Sequence, residues 1–143
     1  MTMPRKSKDT DAELEIELEP EYMTLTVGEA RKALRWFQGW LGLQDWQIVV
    51  TITDSPPAWW DEGRASVLGA WNGARTYKNG EIWMCPATHA THKADMLSTL
   101  FHECCHIMGD DIGISDAGRA EPAEFCWNRL GDLLAMAYRR GVK

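Results

Sequence analysis

The pattern of apolar and polar residues changes near residue 26, where a helical segment follows a charged one. From residue 27 onward apolar residues recur at helical spacing, at Val27, Ala30, Leu34, Phe37 and Leu41. This period predicts an amphipathic helix with one buried face. Thr26 and Glu29 form a capping box at its start, and Gly42 supplies a natural end. Residues 1–25 combine a basic patch with alternating Glu and apolar residues, and we interpret them as a flexible charged leader.

Three shorter segments after this helix have the composition of strands. They cover residues 46–53 (WQIVVTIT), 65–71 and 81–85 (EIWMC). The first is rich in β-branched residues, and Pro86 closes the third. The pairs Asn72-Gly73 and Asn79-Gly80 predict turns on either side of a short connecting ribbon. The sequence therefore predicts a small, mostly antiparallel sheet of three strands.

Helical spacing returns in the last third of the chain. From about Thr91 to Met108 an apolar stripe predicts a helix that ends at Gly109, formed by Leu97, Leu100 or Phe101, Cys104 and Met108. A polar loop over residues 110–119 precedes a final helix with Pro122 in its first turn. The expected buried side of that helix consists of Phe125, Trp127, Leu130, Leu133, Leu134 and Ala137. The pattern predicts one α+β domain over residues 26–143.

Composition and charge narrow the class of partner. The 143 residues are 45% hydrophobic and 25% charged, which is typical of one soluble globular domain. The net charge of −6 disfavours a nucleic-acid partner, and the basic residues of the leader are expected to be solvated. No apolar run approaches the roughly 20 residues that span a bilayer, and no secretory signal is predicted. The four cysteines lack the spacing of a disulfide framework, so we expect reduced thiols and a cytoplasmic location.

The motif His102-Glu103-Cys104-Cys105-His106 lies within the predicted helix and has the pattern HExxH. Residues i and i+4 project from the same face of a helix, so His102 and His106 can reach one tetrahedral Zn²⁺. Glu103 is rotated by one residue, where it can accept a proton from a water at the metal without binding the metal. The apolar stripe lies on the other side of the helix. The motif predicts a zinc site with Glu103 as catalytic base.

Two histidines leave the zinc site incomplete, and several acidic residues are candidates for the third ligand. The metzincin pattern HExxHxxGxxH fails, because position 112 is Ile. Glu124 is the preferred candidate, since an apolar helix face with the small residue Gly131 follows it. Glu121 is the alternative, although its place beside a proline suits helix entry. Asp110 and Asp111 are further alternatives for the third ligand. A role in the loop or in capping a helix is favoured for both.

Other residues near the motif have less specific patterns. Tyr77, His89 and His92 are candidates for stabilising an oxyanion, and none is preferred. Cys85, His89 and His92 form a string that could bind a second metal, but no fourth ligand is evident. Cys104 is expected to be buried and Cys105 partly buried. The eight Trp are interpreted mainly as core residues, with a ligand groove as the alternative.

An HExxH helix preceded by a short sheet and followed by a Glu-bearing helix resembles gluzincin-type minimal metallopeptidases. It is similar to the compact phage and bacterial enzymes related to the ImmA/IrrE and SprT-like groups. The resemblance implies a zincin-like fold, a Zn²⁺ cofactor, hydrolysis of a protein or peptide, and the host cytoplasm if a phage encodes the chain. It also implies that residues 81–85 are an edge strand that pairs with substrate. No His follows His106, which favours ligation by Glu over the three-His set of SprT-like proteins.

Two functions of different classes fit these observations. The first is a zinc endopeptidase that acts on a protein. The alternative is a catalytically silent zinc-binding interaction module that uses the acidic leader or a Trp-rich face for contact. A protease linked to DNA is a third reading, which the acidic charge disfavours.

Overall fold

A computed structural model describes residues 24–60, 67–113 and 120–141, without the side chains of residues 120–123 and 125. Within these ranges the protein is α+β, with four helices and one three-stranded mixed sheet. The elements in chain order are α1 (Val27–Leu41), β1 (Gln47–Ile52), β2 (Gly69–Ala74), β3 (Asn79–Met84), α2 (Pro86–His92), α3 (Met96–Asp111) and α4 (Ala120–Gly141). Residues 1–23 of the predicted leader lie outside the described ranges. No helix within them is long and apolar enough to cross a membrane.

Helix α1 begins and ends where the sequence predicts. The Thr26 hydroxyl accepts a hydrogen bond from the Glu29 amide at 3.1 Å, and the Glu29 carboxylate accepts one from the Thr26 amide at 3.0 Å. Gly42 ends the helix with φ of 67°, and its amide donates to the carbonyl of Gln38. The capping box and the glycine stop are therefore confirmed. Leu25, which the prediction assigned to the leader, is buried in the core.

The strand order in the sheet is β1-β3-β2, with β1 parallel and β2 antiparallel to β3. The prediction of a mostly antiparallel sheet is wrong for the β1–β3 pair. The expectation that residues 81–85 form an edge strand is also wrong, because β3 is the central strand. Its side chains are buried on both faces, Ile82 and Met84 on one and Trp83 on the other. Both edges of β3 are paired with neighbouring strands, which makes it the central strand.

The two Asn-Gly pairs lie inside strands, so the turns predicted there are wrong. Gly73 belongs to β2 and Gly80 to β3, where they pair across the two strands. The indole of Trp71 covers both glycines. A Cβ at Gly73 would lie 2.0 Å from Trp71 Cζ2, and one at Gly80 would lie 2.3 Å from Trp71 Cη2. These glycines make room for a ring, and the chain turns at residues 75–78 with Lys78 at φ of 48°.

The predicted active-site helix is two helices. The first helix ends at Lys93, which has a left-handed backbone conformation with φ of 49°. Asp95 then caps α3 by accepting a hydrogen bond from the Leu97 amide at 2.9 Å. Helix α3 continues through Gly109 to Asp111, so the predicted end at Gly109 is also wrong. Gly109 is buried within the last turns of the helix, where a small residue is tolerated.

The main core lies between the helices and one face of the sheet. It joins α1, α3, β1 and β3 through a set of buried side chains that includes Leu34, Phe37, Val50, Ile82, Leu97, Leu100, Phe101 and Ile107. A smaller cluster lies on the opposite face of the sheet, where Trp59, Trp60 and Val67 pack on Ala70, Trp83 and Cys85. The helices therefore cover one face of the sheet, and this Trp-rich cluster covers part of the other.

Candidate metal centre

Helix α3 presents the HExxH residues on the side that faces α4. Its apolar residues, Leu97, Leu100, Phe101, Cys104 and Ile107, are fully buried against the core. The side chains of His102 and His106 are 13% and 11% exposed, and that of Glu103 is 7% exposed. The other face of α3 lies against α4, since a Cβ at Gly131 would lie 3.0 Å from the His102 amide nitrogen. The histidines lie within the contact of α3 with α4.

A close approach of the two helices brings Glu124 to the histidines. A Cβ at Gly131 of α4 would lie 3.0 Å from the His102 amide nitrogen and 3.0 Å from the Ser98 carbonyl oxygen. Glycine is therefore the residue that lets the two backbones pack at this distance. Glu124 lies two turns before Gly131 on the same face of α4. The predicted close contact at this small residue is confirmed.

The buried side of α4 differs from the prediction. Ala135 is buried, while Leu133 is 55% exposed and Ala137 is exposed. The predictions for Leu133 and Ala137 are wrong. Arg139 donates a hydrogen bond to the Asp95 carboxylate at the start of α3 and ties the far ends of the two helices together. The face of α4 that packs on α3 contains Gly131 and Ala135, small residues that allow close packing.

Three potential ligand atoms converge between α3 and α4. His102 Nε2 and His106 Nε2 are 3.3 Å apart. Glu124 Oε2 lies 3.1 Å from His102 Nε2, and Glu124 Oε1 lies 3.0 Å from His106 Nε2. Two nitrogens that each lie about 2.1 Å from a tetrahedral zinc ion are roughly 3.4 Å apart. The spacing and the chemistry of this donor set therefore fit a zinc ion, and the three residues form a group that could hold a metal.

The surroundings of His102 favour its neutral form. Burial lowers the pKa of His102, and the nearby His106 ring acts in the same direction, while the Glu124 carboxylate opposes both. Metal ions bind the neutral form of histidine. His102 Nδ1 is buried, and a hydrogen bond between the His102 ring and the Asn128 side chain opposes the effect of burial on the pKa of His102.

Access to the cluster is from the side of Glu124. The carboxylate side chain of Glu124 is 48% exposed, in contrast with the two largely buried imidazoles. On the buried side, the Trp127 ring lies 6.4 Å from the His106 ring. Glu103 Oε1 is 3.9 Å from His102 Nε2, close to the cluster and outside the set of converging ligand atoms. Glu124 is therefore the member of the cluster that is most exposed to solvent.

The acidic residues at the end of α3 have other partners. Asp110 Oδ2 accepts a hydrogen bond from Trp71 Nε1, and Asp111 Oδ1 accepts one from Trp46 Nε1, both at 2.8 Å. These two alternatives for the third ligand are therefore part of the contact between α3 and the sheet. The alternative Glu121 lies in α4, and its side chain is outside the described set.

The residues predicted for a second metal or an oxyanion are not part of the cluster. His89 is fully buried, and both of its ring nitrogens have partners, the Cys85 carbonyl oxygen at 2.7 Å and the Thr99 hydroxyl at 2.8 Å. His92 is exposed at the end of α2. Tyr77, in the turn between β2 and β3, is 78% exposed. The hydrogen bonds of His89 link α2 to α3, which is a structural role.

The two cysteines of the motif are buried in the core side of α3. Cys104 and Cys105 are both 0% exposed, so the prediction that Cys105 is partly buried is wrong. Burial raises the pKa of the Cys105 thiol to about 12 and raises that of the Cys104 thiol well above its usual range. Thiols bind metals as thiolates, so neither cysteine is suited to ligate an ion in the cluster. Cys85 and Cys126 are also free.

Several contacts that hold the site were absent from the sequence-based predictions. The pairing of Asp110 and Asp111 with indole donors joins residues 39 and 65 positions apart. The Arg139–Asp95 contact spans 44 positions. A Trp can donate only through its indole N–H, and carboxylates at a helix C-terminus need donors. Those two requirements are the features of the sequence from which the Trp–Asp pairs could have been predicted.

Comparison of the chain with protein-family models, curated proteins and solved structures gave no match.

Proposed function

We propose that this protein is a zinc-dependent peptide hydrolase of the HExxH type. The observation that supports the proposal is the convergence of His102 Nε2, His106 Nε2 and a Glu124 carboxylate oxygen within 4.8 Å of one another. A His₂Glu set with an open fourth position is typical of catalytic zinc sites, whereas structural sites are closed by four protein ligands. The set of three candidate protein ligands and the exposure of the Glu124 side chain support the catalytic kind.

The residues of the cluster have distinct roles in the proposed reaction. His102, His106 and Glu124 would hold the ion, which would supply Lewis-acid chemistry when bound. Glu103 accepts a proton from the attacking water and delivers it to the leaving amine. Its carboxylate is largely buried and lies beside the cluster. A carboxylate in that position can take part in each proton transfer without acting as a metal ligand.

Strand β2 is the better candidate for pairing with an extended substrate. Among the described strands it pairs only with β3, so its other edge has unpaired backbone groups. It also packs on the metal-bearing helix, since a Cβ at Gly69 would lie 3.0 Å from Thr99 Cγ2 of α3. Extended peptides bind to such edges by adding a strand. We propose that the substrate lies along β2.

The substitution Glu103→Gln tests the catalytic role. Gln has nearly the same size and cannot accept the proton, so we expect zinc to be retained and hydrolysis of an unstructured protein such as casein to fall at least about 100-fold. Asp132→Asn, at an exposed carboxylate of α4, is the matched control and should keep full activity. Hydrolysis by Glu103→Gln at the parental rate would refute the role. Unaltered biological activity in this variant would instead favour a zinc-binding interaction module.

Zinc content measured by atomic absorption tests the ligands. We expect His102→Ala and Glu124→Ala to lose zinc, and Glu121→Ala to keep it. A catalytic zinc site with one ligand removed retains two protein ligands, which is too few for tight binding. Full zinc retention by His102→Ala would exclude the site, and zinc loss in Glu121→Ala alone would transfer the third ligand to that residue.

A further inference from the structure

A groove of about 510 Å³ lies on the face of the sheet opposite to the helices. The side chains that line it include Gln47, Val49, Trp59, Asn72, Asn79 and Glu81. Helices α1 and α3 pack on the other face through the core, so the metal cluster has no part in this groove. Its volume falls in the range of small-ligand sites.

Glu81 is at the centre of the groove floor. The register pairs it with Val49 of β1 on one side and with Asn72 of β2 on the other. Its side chain is partly buried, and Trp59 Nε1 donates a hydrogen bond to its Oε1 at 3.3 Å. An ionised carboxylate offers about four acceptor positions. A single neutral donor therefore leaves most of its capacity unused.

No cation among the described residues neutralises Glu81. Lys78, the basic residue next to the groove, pairs with Asp45 at 2.5 Å and lies 3.9 Å from Asp111. A bound cation would supply the counter-charge that the Glu81 carboxylate lacks among the described residues. The chain also has a net charge of −6, so its overall field attracts cations and repels phosphates.

The other lining groups suit a planar cation with an aliphatic stem. Gln47, Asn72 and Asn79 line the groove and are exposed, and each carries a side-chain amide with an acceptor oxygen. Val49 is 57% exposed and offers an apolar surface. The Trp59 ring forms one wall, and guanidinium groups stack on indole rings. A guanidinium has five donors in one plane, which the carboxylate and the amide oxygens can accept.

We propose that this groove binds the arginine side chain of a peptide or protein partner, with Glu81 as the counter-charge and Trp59 as the stacking surface. The site is separate from the metal cluster and does not require hydrolysis. A saccharide would also contact amides and an indole ring, but it would make no use of the charge of Glu81. The charge of the ligand is therefore the property to test.

The test is a titration of the unmodified protein followed by NMR at the indole N–H of Trp59, which Trp59→Phe assigns. The probes are N-acetyl-arginine amide and its neutral analogue N-acetyl-citrulline amide. We expect the arginine probe to shift the Trp59 signal and to bind at least fivefold more tightly than the citrulline probe. Because both probes use the same protein, this comparison does not depend on how any variant folds.

Two variants complete the experiment. Glu81→Gln keeps an acceptor for Trp59 and removes the charge, so affinity for the arginine probe should fall at least fivefold. Asp132→Asn removes an exposed charge elsewhere and should leave the affinity unchanged. Equal binding of the citrulline probe, or parental affinity in Glu81→Gln, would overturn the proposal. Tighter binding of methyl glucoside than of the arginine probe would also overturn it and identify a saccharide groove.

Discussion

The histidines of this protein differ in what their ring nitrogens contact. His89 has protein oxygens on both nitrogens, at 2.7 and 2.8 Å, and so is saturated. His102 and His106 instead direct their Nε2 atoms toward each other, at 3.3 Å. Imidazoles that meet nitrogen to nitrogen beside a carboxylate suit a shared cation. Burial alone does not distinguish a structural histidine from a candidate ligand, whereas the partners of its nitrogens do.

The substitution His89→Gln tests the pH dependence of stability. Burial lowers the pKa of His89 below its usual range, against smaller opposing effects of the Cys85 carbonyl and Asp95. A group that binds protons less readily when folded contributes stability above its unfolded pKa of about 6.5, and this contribution is lost as the pH falls toward the folded pKa. Urea unfolding at pH 7.5 and 5.5 should show a smaller loss of stability in His89→Gln than in the parent. Equal losses in both proteins would contradict this account.

At the scale of elements, the candidate site depends on how α3 is held by its neighbours. Two consecutive carboxylates, Asp110 and Asp111, lie at its C-terminus, where the helix dipole disfavours negative charge. The indole N–H groups of Trp71 and Trp46 compensate by donating to them. Gly131 sets the distance to α4 at the other contact. The position of the histidines therefore follows from contacts with both the sheet and α4.

The substitution Trp71→Phe tests the link between α3 and the sheet. It keeps an aromatic ring and removes the donor to Asp110, so we expect a loss of about 1–3 kcal/mol in the free energy of unfolding. Trp40→Phe is the matched control, because Trp40 is 75% exposed and should change stability by less than about 0.5 kcal/mol. Chemical denaturation measures both. Similar small effects in the two variants would show that the Trp71–Asp110 contact contributes little.

The substitution Gly131→Ala tests the contact between α3 and α4. The new methyl group would lie 3.0 Å from backbone atoms of α3, so the helices must separate by a few tenths of an ångström. We expect zinc affinity to fall about tenfold, as for other changes that displace metal ligands indirectly. Gly141→Ala, in the same helix with no neighbour within 4 Å, should leave zinc affinity unchanged. Unchanged affinity in Gly131→Ala would show that the contact does not position Glu124.

At the scale of the whole molecule, the candidate ligands connect two elements that are separate in sequence. His102 and His106 belong to α3 and Glu124 to α4, and Arg139 with Asp95 joins the other end of the same helix pair. An ion that binds all three ligands only in the folded protein must stabilise it. Zinc binding and global stability are therefore coupled in the proposed site.

Thermal unfolding with and without zinc tests this coupling. Free zinc at 100 times its Kd should add about 2.7 kcal/mol to the free energy of unfolding, which raises the Tm by several degrees for a chain of this size. His106→Ala should show no such rise at the same zinc concentration. An equal rise in that variant would indicate that zinc stabilises the protein at another place.

Local features of the chain were predictable because neighbouring residues determine them. The capping box at Thr26 and Glu29 and the HExxH spacing both depend on contacts within a turn or two of one helix. The preference for Glu124 over Glu121 rested on the apolar face and Gly131, and the structure brings Glu124 to the histidines. The sequence by itself determined the start and end of α1 and the shared helix face of the two histidines.

Contacts between distant segments decided the rest. The sequence predicts turns at the two Asn-Gly pairs, whereas in the structure both glycines lie in strands and are covered by Trp71. The central position of β3 follows from its pairing with β1 on one edge and with β2 on the other. The partners of Asp110 and Asp111 lie 39 and 65 residues away. Such features depend on which surfaces meet in three dimensions, and no local pattern in the chain encodes that choice.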